Sequence, residues 1–483
     1  MPKRTHREPK IFENITITGI ADKGKAVGRH DGQVVFVENA VPGDVCDVYV
    51  FKSRKGFHEG RIERLITPSV DRTEHFCAHF GTCGGCKWQH LSYEAQLRHK
   101  NQTVHDALIR IGKVAVGEWL PIVGSPETQF YRNKLEYTFS NKRWLTEAEH
   151  FADRDAKAAD ENYVSIQQGG LGFHKAGAFD KIVPIEKCYL QRDPSNQIRN
   201  AVRDFAKTNG YSLYDPREHK GWLRTLFIRT TNATQETMVI VVFDAACPKE
   251  KREAMMAFVQ TTFPEITALL YVVSAKLNDT IFDLDVHTYA GRNYIVEHLG
   301  ESQYKISPKS FFQTNSTQAK TLYDITADFC DLQSTDNVYD LYTGTGSIAC
   351  FIAKRVKSVV GIEEIDAAVL DAHENARMNG LDNVAFYTGD VKNILTPEFE
   401  AKHGKPDVVI TDPPRAGMHT DVVNYLLALA APRLVYVSCN PATQARDLAL
   451  LSAKYDVLKV QPVDMFPHTH HIENVAQLRL REV

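Results

Sequence analysis

At 483 residues the chain is too long for one ordinary core and calls for two to four domains. Apolar residues make up 43% and charged residues 24%, with a formal net charge of −3, which excludes a disordered chain and a uniformly basic nucleic-acid coat. No apolar run reaches the roughly 18 residues of a membrane span. The basic start lacks the apolar stretch of a secretory signal, so a cytoplasmic protein with no membrane partner is expected.

Residues 1–10 read as a short basic arm. Residues 11–67 read as all-β. Asn14-Ile-Thr-Ile-Thr18, Gln33-Val-Val-Phe-Val37 and Asp44-Val-Cys-Asp-Val-Tyr-Val50 have the alternation of strands, and Asp31-Gly32 and Pro42-Gly43 supply turns. Several short strands in so few residues predict a small closed barrel. Lys52, Arg54, Lys55, His58 and Arg61 form a candidate phosphate patch at its end. A polar helix is predicted from Tyr93 to Ile111. Residues 120–310 read as mostly β, with strands at 130–139, 222–229 and 238–243, interrupted by a charged, Ala-rich surface insertion at 146–162.

Between the barrel and the helix lies Cys77-x5-Cys83-x2-Cys86. Three soft ligands in a loop with Gly81, Gly84 and Gly85 suit an iron–sulfur centre or zinc, and the spacing does not choose the fourth ligand. Cys46, Cys247, Cys330 and Cys350 sit in apolar patterns and read as core.

From about residue 315 the texture changes. Apolar strands at 337–342, 358–363, 384–387, 407–411 and 434–438 alternate with helical patterns, as in a parallel doubly wound sheet. Asp340-Leu-Tyr-Thr-Gly-Thr-Gly-Ser347 follows the first of these strands and opens a helix. Glu363 ends the second strand, where a carboxylate meets the ribose hydroxyls of an adenosine. Asp390 ends the third, near the adenine. No third glycine completes a dinucleotide fingerprint and no Lys follows as in a P-loop, so the pattern favours S-adenosylmethionine.

The fourth strand ends in Thr411-Asp-Pro-Pro-Arg415, which holds Asp412 at the pocket mouth, and the fifth in Ser438-Cys-Asn-Pro441, which puts Cys439 there too. A cysteine in that place has the setting of a thiolate nucleophile. Pro467-His-Thr-His-His-Ile-Glu-Asn-Val475 lacks metal-site spacing; Glu473 reads as a general base, with the histidines positioning it or the RNA. C5-methylation of uracil needs this set. A thiolate adds to C6, C5 becomes nucleophilic and attacks a sulfonium methyl, and a base removes the C5 proton so that the cysteine leaves.

These motifs resemble the bacterial RNA (uracil-5-)-methyltransferases over nearly the whole chain, most closely the branch acting on uridine 1939 of 23S rRNA. Ser310-Phe-Phe-Gln-Thr-Asn315 is similar to the family's Phe-Phe-Gln segment. The resemblance implies that Gln313, Tyr342, Ser347, Glu363, Asp390 and Asp412 bind the cofactor, that Cys439 is the nucleophile and that Glu473 is the base. It also implies a [4Fe–4S] cluster on Cys77, Cys83, Cys86 and Cys188. Thr343 and Ser347 depart from the commoner Cys and Asn. The implied architecture is an α/β multidomain chain. It has an OB-like TRAM barrel (1–67), a central β-rich α+β domain with the iron–sulfur cluster (68–312) and a Rossmann-like class I methyltransferase (313–483), acting as a monomer on 23S rRNA. Methylation of tRNA uracil-54 or of two rRNA sites, and an inactive RNA-binding module on the same fold, are the alternatives.

Overall fold

The computed structural model describes residues 10–160 and 162–482; the basic arm read over residues 1–10 lies, Lys10 apart, outside them. The chain forms two compact units. One runs up to Gln102 and includes Phe466–His471. The other comprises Thr103–Met465 and the segment from Ile472. No helix of the described residues is long and apolar enough to cross a membrane.

The first unit opens on the expected barrel. Strands Lys10–Ile20, Ala26–His30, Gln33–Glu38, Val45–Arg54 and Phe57–Thr67 close on themselves. Alternate side chains turn inward, so Phe12, Ile15, Ile17, Val35, Val37, Cys46 and Val48 fill the interior. Closure by hydrogen bonds leaves no free sheet edge. Asp44 ties the chain leaving the barrel to its wall. Its carboxylate accepts the Val41 N–H at 2.7 Å, the Ser69 N–H at 2.9 Å and the Arg72 Nε at 3.1 Å. The basic patch is smaller than expected. His58 is buried and hydrogen-bonded to Ser53 and Gln33, because its strand alternation points it inward, and Lys52 is paired with Glu59 at 2.8 Å.

After the barrel come the cysteine loop and a helix over Tyr93–Asp106, which continues as a π-helix at Ala107–Gly112, so the helical stretch expected to Ile111 is present with its last turn widened. Trp88, Leu91, Ala95 and Val41 make a small apolar cluster. The segment Phe466–His471 is held against it. The Lys87 and Trp88 N–H groups donate to the His468 carbonyl, and Gln96 accepts the His468 N–H at 2.7 Å.

The second unit holds two large sheets. The seven-stranded sheet runs in the order Val286–Gly291, Ala268–Ser274, Thr237–Asp244, Leu223–Thr230, Lys134–Lys142, Gln168–His174, Ile182–Pro184. Its middle strands are buried on both faces, which explains their unbroken apolar reading. The insertion folds as a helix over Glu147–Ala159, started by a capping box between Thr146 and Glu149.

The eight-stranded sheet runs Val384–Thr388, Ser358–Glu363, Asn337–Leu341, Val408–Thr411, Arg433–Ser438, Glu473–Leu480, Tyr455–Val463, Val116–Trp119. The first five strands are parallel, within a residue or so of the expected bounds. The chain starts at Asn337–Leu341, winds outward on one side, then returns to wind on the other. That topological switch opens a crevice at the strands' carboxyl ends. Two features were not anticipated: Glu473–Leu480 inserts antiparallel between two strands, and Val116–Trp119 adds a strand from far upstream.

Replacing the buried Asp44 by Ala leaves the Val41 and Ser69 N–H groups without their acceptor and the half-buried Arg72 without its ion partner, and is expected to cost about 1–3 kcal/mol, read as a lower urea midpoint.

Candidate active site

The crevice is built from strand ends. Leu341, Thr411 and Ser438 are the last residues of three neighbouring parallel strands, so Tyr342, Asp412 and Cys439 emerge together. Strand Glu473–Leu480 runs opposite to Arg433–Ser438, with Val437 facing Val475 and Ser438 facing Asn474. One further step of that register sets Cys439 against Glu473. Parallel winding alone would not bring these two residues together.

The loops at the mouth are stitched to one another. Asn440 caps the helix Pro441–Leu451 and donates its Nδ2 to the Arg415 carbonyl at 2.9 Å. Asp447, buried on that helix, accepts the Met418 N–H at 2.8 Å and the Tyr436 hydroxyl at 2.7 Å. Asn474 donates to Gln444 at 2.7 Å, and Gln444 donates to the Tyr436 carbonyl at 3.0 Å. These contacts fix the backbone on both sides of Cys439. Asp447, Gln444 and Asn474 were not read from the sequence; as buried polar residues dispersed along amphipathic elements they carry no local motif.

The glycine loop has the form a cofactor cradle needs. Tyr342 takes a left-handed φ of 63°, and Gly344 and Gly346 follow at 57° and 71°. A Cβ on Gly346 would lie 2.8 Å from the Phe386 ring, while one on Gly344 would meet nothing, so Gly344 faces open space. Glu363 accepts the Gly344 N–H on one oxygen and the Ile365 N–H on the other, each at 3.0 Å. That aims both oxygens and leaves lone pairs for a diol. Asp390 caps a short helix and is paired with Lys392 at 3.0 Å. Ser347 places its hydroxyl 2.9 Å from the Tyr323 hydroxyl. Gln313 is held through its backbone, its carbonyl accepting from Asn133 Nδ2 at 2.9 Å.

The cysteine loop lies in the first unit and Cys188, buried, in the second. The Gly85 N–H donates to the Cys83 sulfur at 3.4 Å. Among the described residues no group of three or more His, Cys, Asp or Glu side chains is gathered so as to hold a metal ion, so the loop offers soft donors without an assembled site. The four cysteines read as core are all buried.

The crevice is acidic and desolvated. Burial pushes the Asp340 and Asp412 carboxyls up to about 7, with Asp340 adding to the rise at Asp412. Burial, then Asp412, raises Glu473 well above the usual carboxylate range, and Arg415 opposes this. Burial, then Glu473 and Asp412, pushes the Cys439 thiol up to about 11. Without a ligand the site therefore holds protons, and a cation entering it would release them. For Asp412, the folded chain holds a proton that the unfolded chain gives up between pH values of about 4 and 7. Stability from this group is full below that window and lost as the pH rises through it. Asp412→Asn should therefore melt higher relative to the parent at a pH of about 8 than at about 5, in paired thermal scans.

Comparison with known proteins agrees with this architecture. The family described as tRNA (Uracil-5-)-methyltransferase matches residues 275–481, and the TRAM domain matches residues 13–62. An RNA methyltransferase of Bacteroides thetaiotaomicron is 50% identical over 96% of this chain and 100% of its own length. One of Porphyromonas gingivalis is 51% identical over 96% of this chain and 98% of its own. Among solved structures, the Pyrococcus abyssi tRNA (uracil-54, C5)-methyltransferase in complex with S-adenosyl-L-homocysteine is 27% identical. It superposes with a TM-score of 0.72 over 96% of this chain and 99% of that one. The chain belongs to the S-adenosylmethionine-dependent RNA (uracil-5-)-methyltransferases and carries a TRAM domain.

Proposed function

We propose that this enzyme converts a uridine of 23S rRNA, the one at position 1939, to 5-methyluridine through a covalent adduct on Cys439. The observation that carries the mechanism is the register that sets Cys439 against Glu473 in one buried mouth with Asp412. Bound S-adenosylmethionine supplies an electrophilic methyl group and a positive charge, and the acidic crevice with the open Gly344 backbone suits both. Gln313, Tyr342, Ser347, Glu363, Asp390 and Asp412 are the residues we assign to its binding.

Cys439 gives up its proton to solvent and its sulfur adds to C6 of the uracil, which places the electron pair at C5. C5 takes the methyl group as the bond from that methyl to the sulfonium sulfur breaks, releasing a neutral thioether. Glu473, ionised once the cation is bound beside it, removes the C5 proton. The electrons of that C–H bond rebuild the C5–C6 double bond and the sulfur leaves. Asp412 orients the pyrimidine edge, held still by the prolines that follow it. The uracil must leave its stack to reach the sulfur, at a cost of a few kcal/mol. The barrel and its remaining cations, Arg54, Lys55 and Arg61, are the groups we assign to holding the displaced RNA.

We keep the division into 1–67, 68–312 and 313–483 for these roles, in a cytoplasmic monomer. The thiols at 77, 83, 86 and 188 are our candidates for a [4Fe–4S] group, supported by the spacing of the first three and the N–H donated to Cys83, with Cys188 taken from the family resemblance. The methyl transfer described above uses no electron from it. The likeness to a tRNA uracil-54 enzyme makes tRNA the second substrate reading.

Cys439→Ala should retain RNA binding and lose methyl transfer by at least about a thousandfold. Transfer assays with unmodified 23S rRNA and unmodified tRNA as separate substrates check this and decide the target. Glu473→Gln should accumulate a covalent protein–RNA species on a denaturing gel; its absence would remove the base assignment. Iron analysis of anaerobically purified protein should give about four irons per chain, lost on Cys83→Ser/Cys86→Ser.

A further inference from the structure

The helix Asp366–Met378 follows the cofactor strand that ends at Glu363, and it carries two buried polar residues one turn apart. Asp371 accepts the Ser307 hydroxyl at 2.8 Å on one oxygen and the Ser310 hydroxyl on the other. Asn375 is fully buried. It donates to the Thr345 carbonyl of the glycine loop at 2.9 Å and accepts the Lys305 N–H at 2.8 Å. One helix face thus grips the glycine loop with one side chain and the segment before Gln313 with both.

That segment is braced from a second side. Arg229, buried in the seven-stranded sheet, donates to the Ser310 carbonyl at 2.8 Å. Among the described residues no carboxylate is bonded to it, and Glu136 and Asp371 act on its charge from a distance. Such an arrangement is hard to account for as stability alone. Asn133 adds a third hold, its N–H donating to the Thr314 carbonyl at 2.7 Å. Between these anchors Phe311 stands 68% exposed, an apolar side chain presented on a fixed backbone.

We propose that Asp371 is a positioning residue for methyl transfer, setting the Gln313-bearing 307–313 loop in register with the glycine loop. The inference rests on the methyltransferase reading above. Misplacement of a reacting group by about an ångström costs about a hundredfold in rate with little loss of binding. Asp371 touches neither ligand in this scheme, so its loss falls on turnover.

The test uses the full-length enzyme with unmodified transcribed 23S rRNA and S-adenosylhomocysteine as the binding probe. Asp371→Ala is expected to lower kcat about 10- to 100-fold while the Kd for S-adenosylhomocysteine changes less than about threefold. Asp371→Asn, which still accepts from one serine, should recover most of the rate. Ser310→Ala, with Asp371 intact, should reproduce part of the loss and serves if Asp371→Ala does not fold. A parallel loss of kcat and of S-adenosylhomocysteine affinity, no recovery by Asn, or unchanged kcat in Ser310→Ala would overturn the proposal. If the parent enzyme itself transfers no methyl group to uridine in any RNA, the functional reading fails instead.

Discussion

The register of one antiparallel strand governs the chemistry available to this protein. The five parallel strands can gather only residues that follow their carboxyl ends, and those supply Tyr342, Glu363, Asp390, Asp412 and Cys439. Glu473 comes from a strand that enters the crevice from its amino end, between Arg433–Ser438 and Tyr455–Val463. Because side chains alternate along a strand, a slip of one residue would turn Glu473 away from Cys439 and force Val475 and Leu478, buried on opposite faces of the sheet, to exchange packing environments. Burial of those apolar residues, each contributing roughly 1.5–3 kcal/mol, makes such a slip costly.

The second constraint is electrostatic. Three carboxyl groups, Asp340, Asp412 and Glu473, share a crevice from which water is largely removed, with Arg415 the cation acting on Glu473 and Cys439. Like charges at such distances resist ionising together, so their proton affinities rise. A cationic ligand reverses that balance, since its charge replaces the missing solvent. The same groups that hold protons in the free protein thereby become acceptors in the occupied one. In the proposed mechanism, Cys439 and Glu473 are thus brought into their reactive states together by a positive charge beside them.

A third layer surrounds these groups. Asp447, Gln444 and Asn474 fix the loops around Cys439, and Asp371 and Asn375 join the glycine loop to the segment bearing Gln313. All are buried polar residues with partners inside the second unit. Each would be expensive to bury unpaired, so each marks a place where two chain segments must meet in one geometry.

Much of the site was legible before any coordinates, because strand-end motifs are local. An apolar run followed by Gly, Asp or Cys announces a parallel strand and what stands at its end, and the positions of Glu363, Asp412 and Cys439 at strand ends follow from such runs. The barrel was legible for a similar reason, since period-two alternation and Gly turns are short-range signals, although His58 was misjudged because a basic cluster does not say which of its members points inward. What the sequence could not decide was non-local. The insertion of Glu473–Leu480 beside Arg433–Ser438, the recruitment of Val116–Trp119 and the allotment of Phe466–His471 to the first unit depend on pairing between distant segments. Many such pairings satisfy the same local pattern, and only the packed core selects one of them.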